Sequence, residues 1–425
     1  MLLTRTRKTE TLPFQPPFFY GWIIVVVGAL SVFFSGPGQT YSVSVFLDSY
    51  IAEYGWSRSF VSSMYSIGTL GAGFALLIVG RQVDRRGHRF MMPVIAGLLA
   101  LALVWMSVVI SPWMLVFGFF LIRLLGQGSM TLLGSTLVPQ WFERKRARAM
   151  SLMSVGGVLG AALLPPFNTW MIQNFGWRFG WRFWAVALVV VMVPAAIYLV
   201  RNRPESVGSV PDGVPKAGDH SADTYIAARS WTLNQAKRTR SFWLFLFCMF
   251  VPSMVNTGIT FHIVSILGEK GISPTQSAFV LGLMAMVALP TTFFAGWVLD
   301  RFPVHKVVAI ASFLQVLTMI WLLYIQAYGM AVAFGVVRGF IQGFESMNVN
   351  VFWPNYFGRK HLGSIRGFAM IFMVVGSAFG PLPFGVAFDL FGSYSQILWF
   401  MMLFPAASIW AASQAVPPKW EDYRR

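Results

Sequence analysis

Long apolar stretches separated by short charged islands are the feature that most constrains this sequence. Each stretch runs for about 20 residues, the length of an α-helix that crosses the hydrocarbon core of a bilayer. Hydrophobic residues make up 56% and charged residues 11% of the 425 positions, and the mean hydropathy is +0.64. A water-soluble fold cannot bury that much apolar surface. The sequence therefore predicts an all-α membrane protein that crosses the bilayer many times.

Twelve apolar stretches are present, six before and six after a polar segment. That segment contains prolines, glycines and much of the positive charge, which is typical of a linker. We predict an N-terminal six-helix bundle at 1–200, a cytoplasmic linker at 201–240, and a C-terminal six-helix bundle with a short tail at 241–425. The transmembrane helices are expected near residues 20–46, 57–80, 90–110, 113–138, 148–172, 182–200, 241–267, 275–298, 305–326, 329–354, 364–387 and 394–415.

The positive charge is distributed unevenly along the chain. The net charge is +17, and 26 of the 32 Lys and Arg residues fall on one side of the membrane if the N-terminus is cytoplasmic. The positive-inside rule then places both termini in the cytoplasm, as in a multi-pass protein of the cytoplasmic (inner) membrane. This asymmetry explains the charge without a nucleic-acid partner.

The sequence lacks the residues that several other functions require. The single cysteine, Cys248, excludes a disulfide framework and most cysteine metal sites. No phosphate-binding Gly-x-x-x-x-Gly-Lys-Ser/Thr motif is found, which argues against an ATP-driven pump. Neither a His/Asp metal cluster nor a Ser/Lys arrangement is present. We therefore expect a protein that is not an enzyme and that uses no cofactor or metal.

An internal repeat relates the two halves. Arg123-Leu-Leu-Gly-Gln-Gly in the fourth stretch matches Arg338-Gly-Phe-Ile-Gln-Gly in the tenth, at a shift of 215 residues. A second pair of motifs follows the second and eighth stretches at a shift of 216. These motifs share the residues Gly80, Asp84 and Arg85 in the first copy and Gly296, Asp300 and Arg301 in the second.

The paired Gly-x-x-x-Asp-Arg motifs resemble the loop signature of the major facilitator superfamily. The resemblance implies twelve transmembrane helices in two six-helix halves, related by an axis normal to the membrane, with the solute site near the midplane. It also implies a gating role for the six motif residues at the cytoplasmic helix ends. The alternative is that these charges only set the topology.

Further motifs resemble one family within that superfamily, the monocarboxylate porters and oxalate/formate antiporters. They are Tyr20-Gly-Trp, Tyr54-Gly-Trp-Ser-Arg, Trp141-Phe-Glu-Arg-Lys-Arg and His262-Ile-Val. The resemblance implies a monocarboxylate or related organic anion as solute. One position departs from the pattern, because Thr292 stands where the family usually carries an arginine that pairs with the carboxylate. A threonine hydroxyl can donate to a carboxylate but cannot neutralise it.

Few ionisable residues lie within the apolar stretches away from the cytoplasmic and outer charge clusters, and because a charge there is costly, each such residue indicates a function. Arg123 and Arg338 are candidates for solute binding, or alternatively tie neighbouring helices together. Glu345 has no partner in its own half at a contacting helical spacing, since Arg338 lies seven residues away on the same face, and it is predicted to couple transport to protons or to bind the solute. His262 is expected near the outer end of its helix, either at the interface or on the solute.

Uncharged polar side chains complete the predicted solute site. Each is as compatible with inter-helix hydrogen bonding as with a cavity wall. Together with the ionisable groups and Thr292, the candidates are Tyr41, Gln127, Asn256, Gln342 and Asn348.

These observations predict a secondary transporter that works by alternating access, with proton symport or anion exchange. Its expected partners are a small organic anion, protons and the lipid bilayer, and it is expected to act as a monomer. A proton-coupled exporter of a neutral or cationic amphiphile is the alternative that Thr292 and Glu345 leave open. An intramembrane enzyme and a transporter-like sensor fit the sequence less well.

Overall fold

A computed structural model describes residues 13–14, 16–143, 145–213, 231–299, 301–358 and 362–418 of the chain. The regular secondary structure of these residues is helical, and no strand occurs among them. Two sequence predictions fall partly outside the described residues: the predicted linker between 214 and 230, and Asp300 of the second gating motif.

Eleven helices within the described residues are long and apolar enough to cross a membrane. The predicted tenth span is the helix Tyr328–Phe357, whose 30 residues are also sufficient to cross. Arg338 and Glu345 lie within it and lower its hydropathy. The eleven are Gly21–Gly38, Arg58–Arg86, His88–Ser107, Pro112–Gln140, Arg148–Phe175, Trp177–Leu199, Arg240–Gly268, Pro274–Leu299, Val304–Leu323, Ser364–Phe391 and Ser395–Gln414.

The first span is interrupted at Gly36-Pro37-Gly38. An α-helix, Gly21–Phe34, is followed by a 3₁₀ turn at Gly36–Gly38 and by shorter helical segments that end at Tyr54. Proline lacks the N–H that would continue the α-helical ladder. Glycine is needed at position 38, since an added Cβ would lie 2.1 Å from the carbonyl oxygen of Ile122 in the fourth span. This break brings the backbone of the two helices into contact.

The start of the sixth span differs from the sequence prediction. The sixth span begins at Trp177, directly after Gly176, rather than near residue 182. Its first turns contain Arg178, whose guanidinium lies 4.3 Å from the centre of the Trp177 ring. The arginine stem can lie along an apolar surface while its charge reaches the interface, so a charged residue did not mark the end of the helix here.

The chain forms two compact units. One comprises Met1–Ser42 and Gly71–Ala217, and the other comprises Val43–Leu70 and Gly218–Arg425. The second span, Arg58–Arg86, therefore contributes residues to both units. The core of the second unit contains aromatic side chains in mutual contact, among them the fully buried Phe242, Trp353 and Phe357.

The segment Val43–Leu70 is held in the second unit by polar contacts at the start of the second span. The Asp389 carboxylate accepts hydrogen bonds from the backbone N–H groups of Arg58 at 3.2 Å and Ser59 at 2.8 Å. The Arg58 side chain donates to Asp48 at 2.7 Å and lies over the Phe388 ring. A carboxylate from the eleventh span thus satisfies the free N–H groups at the N-terminus of the helix Arg58–Arg86.

This helix cap can be tested by substitution. We expect Asp389→Ala to lower the thermal stability of the detergent-purified protein, by about 1 kcal/mol as for other N-cap losses. Asp389→Asn should retain most of the stability, because an amide oxygen can still accept one of the two N–H bonds. Equal melting temperatures for the alanine variant and the unmodified protein would contradict the capping role.

Candidate functional site

A cavity of about 350 Å³ lies in the second unit. Its walls come from the spans Arg240–Gly268, Val304–Leu323, Tyr328–Phe357 and Ser364–Phe391. The polar lining residues are Ser253, Asn256, Thr257, Ser312, Gln315, Gln342, Glu345, Ser346 and Asn348, and the apolar ones are Phe245, Cys248, Met249, Pro252, Val308, Ala311, Val349 and Met373. Polar groups on a mostly apolar wall are typical of small-molecule sites.

Arg338 and Glu345 form an ion pair beside this cavity. Arg338 Nη2 lies 3.3 Å from Glu345 Oε2, and the two side chains are only 7% and 13% exposed. The sequence expectation that Glu345 has no partner was therefore wrong. Seven residues correspond to a rise of about 10.5 Å along a helix. The long arginine and glutamate side chains together span that rise, which helical spacing alone does not reveal.

Two amide side chains connect the pair to neighbouring spans. Asn256 Nδ2 donates to Glu345 Oε2 at 2.8 Å, while Asn256 Oδ1 accepts from Arg338 Nη2. Gln315 Nε2 donates to the same Asn256 oxygen at 2.9 Å. Asn256 thus presents its oxygen to the cation and its NH₂ group to the carboxylate. Gln315 was missed at the sequence level, although an amide in an apolar span is a signal for a buried polar contact.

Polar atoms at this site retain unused hydrogen-bonding capacity. Arg338 Nη1, Glu345 Oε1, Gln315 Oε1 and Asn348 Oδ1 are buried without a hydrogen-bond partner among the described residues. One is a cationic donor and three are acceptors. Buried polar groups are costly when they remain unpaired. The site can therefore bind a solute that carries both an anionic acceptor and hydroxyl donors.

The predicted solute-binding residues fall into two groups. Asn256, Gln342 and Asn348 line the cavity together with Glu345. Arg338 lines a smaller void that shares Asn256 and Gln342 with it. The structure thus brings together the candidates of the seventh and tenth spans.

Three further candidates, Tyr41, Arg123 and Gln127, belong to the first unit. Arg123 is 4% exposed and donates from Nη1 to the carbonyl oxygen of Gly38 and to Thr40 Oγ1, both at 3.3 Å. It thereby satisfies backbone at the break in the first span. Gln127 has a buried Oε1 atom without a hydrogen-bond partner in the described chain. The hydroxyl of Tyr41 lies near Gly36 and Gly160.

Thr292 and His262 are not among the residues that line the cavity. The Thr292 hydroxyl donates to the Ala288 carbonyl oxygen of its own helix at 2.8 Å. Because threonine is uncharged and its hydroxyl is bonded within its own helix, this residue does not replace the arginine that the family usually carries here.

His262 is completely buried, which contradicts an interfacial position. Its Nε2 atom lies 3.0 Å from the Pro381 carbonyl oxygen, and its Nδ1 atom lies 3.1 Å from the Tyr394 hydroxyl. The carbonyl can only accept, so Nε2 carries the proton and Nδ1 accepts from Tyr394. Burial raises the pKa of Tyr394, which keeps that hydroxyl a donor. A third contact to Ser62, at 3.2 Å, joins the histidine to the segment Val43–Leu70.

The predicted gating residues differ in their surroundings. Asp84 and Arg85 are exposed at the end of the second span. An added Cβ at Gly80 would have its nearest neighbour, Leu132 Cδ2, at 4.0 Å, so no close helix approach requires glycine there. Gly296 is tighter, with Met347 Cε at 3.3 Å. Arg301 donates to the Trp297 carbonyl oxygen at 3.2 Å.

No group of three or more His, Cys, Asp or Glu side chains that could hold a metal ion occurs among the described residues.

The ion pair generates a prediction about stability. Removing one partner leaves a buried charge, which should lower the free energy of unfolding by about 3 kcal/mol. Glu345→Gln should destabilise more than Arg338→Gln, since a lone glutamate can take up a proton and a lone arginine cannot lose one. The loss of stability is measured by thermal unfolding of both single variants and of the double variant Arg338→Gln/Glu345→Gln. A double variant as unstable as the sum of the single ones would show that the two side chains do not interact.

Known proteins share sequence with this chain. The glycerol-3-phosphate transporter of Bacillus subtilis is 25% identical over 60% of this chain and 59% of its own length. The gallate transporter of Pseudomonas putida is 22% identical over 92% of this chain and 91% of its own. Monocarboxylate transporter 13 of Bos taurus is 24% identical over 67% of this chain and 62% of its own, which confirms the monocarboxylate-type resemblance of the motifs.

The fold has solved counterparts as well. A bacterial homologue of the human lysosomal transporter Spinster superposes with a TM-score of 0.73 over 95% of this chain and 98% of its own, at 14% identity. The family model of the Major Facilitator Superfamily matches residues 22–381. The relatives are transporters and not enzymes. This multi-pass chain is thus a membrane transporter that belongs to the major facilitator superfamily.

Proposed function

We propose that this protein is a secondary active transporter that moves an organic anion together with a proton by alternating access. The observation that carries the proposal is the buried Arg338–Glu345 pair, in which each partner keeps one atom without a hydrogen bond. The cavity beside this pair is the proposed solute site. When a proton neutralises the acidic group of such a pair, the basic group becomes available to the anion of the solute. This is how the pair can couple the binding of an anion to the binding of a proton.

The coupling follows from charge. While Glu345 is ionised, it neutralises Arg338, and a second anion beside the pair would leave a net negative charge in a poorly solvated site. Protonation of Glu345 removes this competition and frees the guanidinium for the carboxylate of the solute. A planar guanidinium can bind a carboxylate through two parallel hydrogen bonds. Proton and anion therefore favour each other's binding.

The rest of the cavity suits a solute with an apolar body and hydroxyl groups. Phe245, Met249 and Met373 supply apolar walls, and Gln315 Oε1 and Asn348 Oδ1 are acceptors that lack donors. A hydroxylated aromatic carboxylate has this combination of groups, and gallate, the solute in the name of the Pseudomonas putida relative, is such a compound. We therefore propose this class of organic anion as the substrate.

A cationic solute fits less well, because Arg338 already places a permanent positive charge at the site. Within this proposal Arg338 replaces the family arginine that is absent at position 292.

Asp84 and Arg85 with Arg301 act as cytoplasmic gating groups, and both termini face the cytoplasm. The transporter resides in the inner membrane and functions as a monomer.

The coupling role of Glu345 is tested with proteoliposomes. We expect Glu345→Gln to abolish accumulation of labelled 4-hydroxybenzoate or gallate driven by a pH gradient, because the proton site is removed. Counterflow should survive, since the amide mimics the protonated acid and the exchange of solute needs no net proton movement. Glu269→Gln, the same change outside the cavity, is the matched control and should accumulate solute normally. Full gradient-driven accumulation by Glu345→Gln would exclude this residue from coupling.

Binding can be followed separately from transport through Cys248, which is the single cysteine of the chain and lines the cavity. We expect a bound aromatic carboxylate to slow the labelling of Cys248 by a maleimide. This protection should be lost in Arg338→Gln and retained in Glu345→Gln. A Cys248→Ser variant establishes the background. Undiminished protection in Arg338→Gln would show that another group binds the carboxylate.

A further inference from the structure

A second cavity of about 290 Å³ lies in the same unit, along the ninth and tenth spans near the end of the eighth. Its lining is apolar except for one side chain, Lys306. Val298, Phe302, Ile310, Leu314 and Phe344 form much of the wall. We call this cavity the Lys306 crevice.

The crevice opens on the outer surface of the helices. Phe302 is 56% exposed, Ile310 60% and Phe340 37%, and all three line it. Ile310 and Phe340 belong to membrane-spanning helices, where exposed apolar side chains face lipid. An apolar void of this kind does not hold water, because a buried water needs two or more polar partners. An acyl chain is the occupant that the surroundings supply.

One end of the crevice is positively charged. Lys306 lies in the first turn of the helix Val304–Leu323, is exposed, and has no hydrogen-bond acceptor among the described residues. The helix begins after Pro303 without a side-chain cap, so its free N–H groups add positive potential beside the ammonium. Between 300 and 306 the sequence has one acidic residue, Asp300, which lies outside the described residues, against two basic residues and a histidine. This end therefore complements an anion.

We propose that the Lys306 crevice binds an anionic phospholipid, with one acyl chain in the apolar groove and the phosphate beside Lys306. Basic groups at the end of an apolar crevice between spans are a recurring feature of sites for acidic lipid headgroups. The lysine stem can lie along the groove wall while its ammonium reaches the headgroup.

The crevice is separated from the solute cavity by a thin wall. Ala311 lines both of them. On the tenth span, Ile341 and Phe344 face the crevice while their sequence neighbours Gln342 and Glu345 line the cavity. A chain in the crevice thus supports the back of the helix that carries the ion pair, and the bound lipid stabilises the folded second unit by mass action.

The test uses the full-length protein in zwitterionic phosphatidylcholine nanodiscs to which phosphatidylglycerol of matched acyl chains is added. We expect phosphatidylglycerol to raise the melting temperature, and native mass spectrometry to detect one retained phosphatidylglycerol. Lys306→Gln should weaken this binding about fivefold, as expected for one lysine at an anionic lipid surface. Ile310→Trp, which fills the groove at an exposed position, should abolish retention. Lys270→Gln, which removes a lysine at the distant end of the seventh span, is the control and should bind normally.

Three outcomes would overturn the proposal. Equal retention of phosphatidylglycerol by Ile310→Trp would place the lipid elsewhere. An equal loss in Lys270→Gln would indicate a nonspecific effect of surface charge. Equal melting temperatures with and without added phosphatidylglycerol would remove Lys306 from headgroup recognition. Lys306→Gln changes an exposed side chain, so it keeps the test decisive if the tryptophan variant does not fold.

Discussion

The candidate site depends on one constraint, which is that a charge in a membrane-spanning helix needs a partner. Arg338 and Glu345 meet this requirement within a single helix, two turns apart, with Asn256 bonded to both side chains and Gln315 bonded to Asn256. Because the partners share a helix, their pairing does not require a second span to stay in place. Within the described residues, Glu345 Oε1 at the cavity wall and Arg338 Nη1 beside the smaller void have no hydrogen-bond partner, and this unused capacity is the basis for the proposed binding role of the pair.

The internal repeat shows how such a site arises in only one half. A shift of 215 residues relates Arg123 to Arg338, and a shift of 216 relates Thr40 to Asn256. In the first copy Arg123 donates to Thr40, and in the second copy Arg338 donates to Asn256. The counterpart of Glu345, at the shift of 215, is Met130, so the first copy has no acid there. Arg123 instead donates to the Gly38 carbonyl at the helix break. Of these two repeat-related arginines, Arg123 has a structural role in the first unit, and Arg338 belongs to the candidate solute site of the second.

Much of the fold could be predicted from the sequence because the bilayer imposes a fixed span length and a low content of charge. The break at Gly36-Pro37-Gly38 was also predictable, since proline and glycine act locally. Contacts that depend on side-chain reach or on distant segments were not. The Arg338–Glu345 pair looked separated by helical spacing, and nothing local indicated that Val43–Leu70 packs with the second unit. Gln315 was overlooked because a single amide in an apolar span gives no sign of which helix face it occupies.

The charge balance of the pair has a consequence for energetics under the proposed function. In the empty site, ionised Glu345 and Arg338 sum to zero, and with solute bound, protonated Glu345, Arg338 and one carboxylate again sum to zero. Both forms thus avoid an unpaired buried charge, which costs several kcal/mol. The forms with only the anion or only the proton do carry one, and their low population is what prevents leakage of either species. Transport by this scheme is electroneutral, so a pH gradient drives it and the membrane potential does not.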